Sequence, residues 1–202
     1  MLMMKKICLL LVLNLMVFAA VAQNMDSLLS RVKVKGVKAK VANGAVMASD
    51  KNIIQNVSQA KEYSMLLSAI KSAGLTETFE SKGPFTFFAP TNAAFSKMPA
   101  GRRDSLFRPE NKYKLSSLIT YHAVSGKMSV KDIAKNIKDH KGSATFTTLS
   151  GSKLVATIDV NRNIVLTDEC GTQCVISQFD VEQSNGMLHV VNDVFVQKVK
   201  AI

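Results

Sequence analysis

Apolar and polar positions alternate with two different periods along this chain. From Asn52 onward Val57, Ala60, Tyr63, Leu66, Leu67 and Ile70 recur at helical spacing, and Gly74 stands where a helix ends. Phe85–Ala89 is a short apolar run between Gly83-Pro84 and Pro90, which predicts a buried strand. Ala93–Met98 predicts a short helix closed by Pro99, with Asn92 placed to cap it. Pro109 suits a helix's first turn, and Leu115, Leu118, Ile119 and His122 then share one face. Ser129 and Asp132 form a capping box before a stripe of Val130, Ile133, Ala134 and Ile137. After Gly142 the period becomes two. Strands are expected over 146–149, 153–160, 164–168, 175–181 and 187–199, with a turn over 159–163. Helices followed by a run of antiparallel strands predict an α+β domain, not a doubly wound parallel sheet.

The first residues have a different pattern. Lys5 and Lys6 precede a nearly unbroken apolar run, and Ala20-Val21-Ala22 has the form of a signal-peptidase site. Residues 1–22 read as a secretory signal; the run is short for a spanning helix. Residues 23–50 are a basic N-terminal arm or linker, with Arg31–Lys40 free of acid. A solvated arm is expected there, with a lysine-guarded edge strand as the alternative. Residues 51–202 are assigned to one domain, since no internal repeat is found.

Composition narrows the chemistry. With 26 Lys and Arg against 15 Asp and Glu the formal charge is +11, and 47% of residues are apolar. That composition folds, so disorder is excluded as a description of the whole chain. Three histidines and three cysteines are a thin stock for a metal fold, and none of the histidines stands three to five residues from another. No phosphate-binding glycine loop and no nucleophile elbow occurs. No catalytic residue, cofactor or metal is therefore expected. His122 and His189 sit among apolar neighbours and read as core histidines; a catalytic base is the competing reading.

Removal of the signal leaves Cys170 and Cys174. Their three-residue separation predicts a hairpin loop with the cysteines facing each other across the ladder, ~5.5 Å apart. A structural disulfide follows from that geometry in an exported protein, with a reactive pair as the alternative. Export also makes nucleic acid an unsuitable partner for the positive charge. Envelope or cell-surface polymers fit better, with weak contact to an anionic membrane surface as a further expectation.

Three segments carry a family resemblance. Gly83–Pro99, Leu118–Lys127 and Asn185–Phe195 resemble, in order and spacing, the first box, the central Tyr-His segment and the second box of fasciclin domains. The likeness spans about Asn52 to Lys198 and is nearest to small secreted or periplasmic bacterial members. It implies a fasciclin-like α+β fold: a β-sandwich wedge of mostly antiparallel strands with a layer of helices. It implies a non-catalytic role in cell adhesion or in association with the envelope or extracellular matrix. The implied partner is a cell-surface, matrix or envelope polymer, protein or polysaccharide, met in the periplasm or outside the cell. Tyr121, His122, Thr91, Asn92, Asn185, Gly186 and His189 are the motif residues, candidates for binding or for structure. The second box of the family usually has an acid at the position of Asn192; here Asp193 follows one place later. Two other functions stand beside adhesion: a periplasmic carrier of a small apolar or lipid ligand, and a hydrolase using His122 or His189.

Overall fold

The computed structural model describes residues 36–81 and 83–198. The expected signal segment and the first part of the basic arm lie outside them. Within the rest of that arm the chain is ordered as a hairpin, β1 (Ala39–Ala42) and β2 (Ala45–Ala48). Asn43 and Gly44 both take positive φ, 48° and 79°, the pairing that a two-residue hairpin turn needs. Ala42, Met47 and Ala48 are buried, so a solvated arm is corrected to a core-forming ribbon over these residues.

The expected first helix is broken into pieces. α1 (Ile53–Ser58) starts with a capping box between Asn52 and Gln55. A 3-10 turn (Lys61–Tyr63) leads into α2 (Ser64–Ala73), which Gly74 ends in the left-handed conformation. α3 (Thr76–Glu80) follows without any sequence expectation. β3 is Phe85–Pro90, and α4 (Asn92–Ser96) ends before Pro99. Pro99 then opens a further helix, α5 (Ala100–Leu106). Pro109 begins a 3-10 turn that leads into α6 (Lys112–Tyr121). β4 is Ala123–Ser125, and α7 (Val130–Asp139) carries the expected capping box at Ser129 and Asp132.

The later strands are β5 (Ser143–Thr147), β6 (Lys153–Ile158), β7 (Ile164–Thr167), β8 (Gln173–Gln183) and β9 (Gly186–Val191). The last strand stops eight residues earlier than the pattern suggested; residues 192–198 run without regular structure. Seven strands form one sheet in the order β4-β3-β9-β8-β7-β6-β5. All pairs are antiparallel except β3 with β9. The register of β8 on β9 shifts twice, between Ile176 and Gln178 and between Gln178 and Val181, and such bulges bend a strand. The sheet's two outer strands are also joined, because Val124 bridges Thr148 and Leu149 N–H donates to the Ala123 carbonyl at 2.8 Å. This curled sheet with helices against it is the α+β wedge expected.

β3 and β9 lie inside the sheet between β4 and β8, with both faces covered, as a parallel pair requires. Phe87, Ala89, Leu188 and Val190 face a cluster built with α1, α2 and α6. Phe88 and Val191 face a second cluster with α7, β5, β6, β7 and Phe195. The two signature boxes are thus the partition between two halves of the core.

Candidate functional site

Tyr121 is the last residue of α6 and His122 its C-cap. Both are fully buried, and they bond into different places. His122 Nδ1 lies 2.8 Å from the Leu118 carbonyl, which can only accept, so the proton is on Nδ1. Nε2 accepts from Phe195 N–H at 3.1 Å. Burial pushes the His122 pKa from 6.5 down to about 4, so the ring is neutral at pH 7. The Tyr121 hydroxyl donates to the Lys153 carbonyl at 2.8 Å and accepts from Glu169 N–H at 2.9 Å. Burial holds its pKa well above the ordinary tyrosine value. The segment fixes the end of α6 to β6, to the β7–β8 connection and to the chain after β9.

His189 on β9 follows the same plan. Nε2–H donates to the Met128 carbonyl at 2.9 Å, and Nδ1 accepts from Asp180 N–H at 3.3 Å. The ring stacks on Phe88 at 5.8 Å, and burial lowers its pKa. Among the described residues, the side-chain hydrogen bonds of His122 and His189 all go to backbone. Neither is paired with a nucleophile or an orienting carboxylate, the arrangement that proton-transfer catalysis uses.

The polar residues of the boxes join helix ends. Thr91, not Asn92, is the cap of α4, accepting from Ala94 N–H at 3.3 Å. Asn92 reaches sideways instead. Its Oδ1 accepts from Met65 N–H at 3.0 Å, near the start of α2, and its Nδ2 donates to the Lys61 carbonyl at 2.9 Å. Asn185 accepts from Ile53 N–H at 3.0 Å and donates to the Phe79 and Ser81 carbonyls at 2.7 and 2.9 Å. One amide thereby satisfies the open start of α1 and the open end of α3. Gly186 is required by proximity: a Cβ there would lie 2.0 Å from the Phe85 carbonyl oxygen. At the departure in the second box, Asn192 accepts from Val175 N–H at 2.8 Å, and Asp193 lies 3.7 Å from Lys97.

Sequence reasoning missed two of the ties. Buried Asn56 bonds both backbone groups of Ala48 and the Gln183 side chain, locking the hairpin to α1 and β8. Nothing in a helix-interior asparagine announces this. The alternation marks Asp168 only as a strand end. Its Oδ1 accepts from Cys170 and Thr172 N–H, and its Oδ2 from Val196 N–H at 2.7 Å. An aspartate before Cys-Gly-Thr is a recognisable Asx turn, and that signal was available.

The expected disulfide is corrected. Both cysteines are free, Cys170 exposed and Cys174 buried. Cys174 pairs in the ladder with Leu166, because the Asp168 turn widens the loop beyond three residues. Cys170 therefore lies on the loop and not opposite Cys174. Burial raises the Cys174 pKa. No group of three or more His, Cys, Asp or Glu among the described residues could hold a metal ion. No helix among them is long and apolar enough to cross a membrane.

The fasciclin domain model matches residues 61–197. This chain belongs to the fasciclin domain family. It is 33% identical over 159 residues to protein sll1483 of Synechocystis, covering 79% of this chain and 81% of that protein. It is 28% identical over 147 residues to human periostin, covering 73% of this chain and 16% of the much longer relative. Among solved structures it resembles a FAS1 domain pair from the insect cell adhesion molecule fasciclin I. That match has a TM-score of 0.65 at 14% identity, and it covers 80% of this chain and 66% of the other. The fasciclin signatures are, in this member, the joints of the scaffold.

Proposed function

We propose that this fasciclin-domain protein is exported and acts by binding, in cell adhesion or in association with the envelope or extracellular matrix, without bond-making chemistry. The observation that carries the reading is the employment of the signature side chains. Tyr121, His122, Asn185 and His189 are all buried, and each is bonded to backbone. A family whose defining residues make a rigid interior leaves recognition to its surface, and the family likeness to an insect cell adhesion molecule supports that role. The net positive charge supports a polyanionic partner over a neutral one. Retention on intact cells or isolated envelope polymer at physiological salt tests this reading. A protein that washes through every such matrix does not have this function.

A further inference from the structure

A cleft of about 510 Å³ lies between α5, α6, the turn after β5 and the chain after β9. Its volume is in the range of small-ligand sites. Its base is apolar, formed by buried Leu118 with half-buried Leu106 and Val196. One wall is made of hydroxyls and an amide that are already oriented. Gln197 Nε2 donates to Ser150 Oγ at 2.6 Å and to Ser152 Oγ at 3.2 Å, and Gln197 Oε1 accepts from Ser117. Ser150 Oγ is fully engaged, since it also bonds Thr148 Oγ1 and the Ser152 N–H, whereas Ser152 Oγ keeps its proton and Ser117 Oγ its lone pairs for a ligand.

The rim is basic. Arg102, Lys114 and Lys198 border the cleft, all three exposed, and the lining includes no acid. The nearby acids in sequence lie against other bases: Asp104 is 3.6 Å from Arg103, and Glu110 is 4.0 Å from Arg108. Arg102, Lys114 and Lys198 have no ion pair with any described residue.

These three features match one ligand class. We infer that this cleft binds a segment of acidic polysaccharide, with a sugar ring on the apolar base, its hydroxyls on the serine and glutamine wall, and its carboxylate or sulfate groups on the cationic rim. The chemistry disfavours a nucleotide, since no aromatic ring lines the cleft for a base to stack on. A membrane surface cannot reach recessed hydroxyls. The inference rests on the binding function proposed above and names its partner.

The test is a calorimetric titration of the purified protein with a polyuronate hexasaccharide, a neutral maltohexaose and phosphatidylglycerol vesicles. The double variant Arg102→Ala/Lys114→Ala is compared with Lys131→Ala/Lys138→Ala, which removes equal charge from exposed α7. Circular dichroism confirms that both variants are folded. The wild type is expected to bind polyuronate and to bind maltohexaose at least about tenfold more weakly. The cleft variant is expected to lose about tenfold in affinity, and the α7 variant less than about twofold. Equal losses in the two variants, equal affinity for the neutral sugar, binding to vesicles alone, or no polyuronate binding each overturns the inference. Retention of the cleft variant on cells at the wild-type level would reject the cleft while leaving the binding function standing. Failure of the wild type to be retained would reject that function itself.

Discussion

Helix α6 presents two regions with opposite chemistry. Its C-terminal end carries Tyr121 and His122, dry, neutral and bonded on every side to backbone. Nearer its start, Lys114 and Ser117 face a cleft with an exposed cation and a hydroxyl held by Gln197. The first region identifies the family and the second has no sequence signature at all. Burial explains the difference. A side chain that must satisfy two backbone groups in a fixed volume has few substitutes. A solvated lysine near a cleft has many, at little cost to the fold. Motif residues therefore report the scaffold, and partner choice is written where the motif is not.

The comparison breaks most severely at the partition. Gly186→Ala would push a methyl group into the Phe85 carbonyl at the parallel β3–β9 pair, where the three nearest atoms are all Phe85 backbone. The expected cost exceeds ~3 kcal/mol, read as a collapse of the urea midpoint or of soluble yield. A variant of ordinary stability would mean that this strand pair yields, and that the boxes are not rigid joints.

The second test is pH. The folded-state pKa of His122 is lowered to about 4, below the 6.5 of an exposed histidine. The unfolded chain thus binds more protons between these values. Stability from this residue is fully present above about pH 6.5 and is lost as pH falls towards 4, by about 3 kcal/mol at the low end. His189 is shifted in the same direction and adds to the loss. His122→Gln should flatten this part of the stability profile, and His122→Ala should cost ~1–3 kcal/mol near neutral pH by leaving Phe195 N–H without its acceptor. An acid profile unchanged in His122→Gln would show that the imidazole does not set it.

The sequence made the outline of the fold readable where one local rule acted alone. The Ser129 box, the Gly74 stop and the alternating β6 are found where the pattern put them, whereas β5 (Ser143–Thr147) starts three residues before the expected 146–149. It misled where two rules competed. The run through Ala60 has an unbroken apolar face, yet the helix breaks at Gln59 and Ala60. Pro99 signals a stop by its position after one helix, but it also precedes the next, Ala100–Leu106, where proline is tolerated. The parallel pairing of β3 with β9 joins segments a hundred residues apart, beyond any local signal. The same holds for the candidate site. Asn185 and Asn92 were visible as residues, but their partners on α1, α3 and α2 depend on the tertiary fold. The cleft was invisible because it joins three stretches distant in sequence, residues 102–118, 150–152 and 196–198, none with a distinctive motif.

The cysteines sharpen the contrast on a smaller scale. Under native conditions a thiol reagent should modify exposed Cys170 at once and Cys174 only after denaturation. Cys174→Ser should cost ~1–3 kcal/mol, because a hydroxyl would enter an apolar cluster. Cys170→Ser should be near neutral. Failure of Cys170 to react in unreduced native protein, with reaction restored by reductant, would reinstate the disulfide.

The smallest effect is expected at the opposite end of α6. Lys114→Ala removes an exposed side chain from a helix in which alanine is the better helix former. Its effect on the denaturation midpoint should correspond to less than ~0.5 kcal/mol, in either direction. The nearness of that value to zero is the informative part. If Lys114 destabilised the fold as much as His122 when truncated, its ammonium would be a structural contact, and the division of α6 into a scaffold end and a surface end would fail. A silent Lys114→Ala, measured beside a costly His122→Ala on the same helix, separates the two roles without any assumption about the partner.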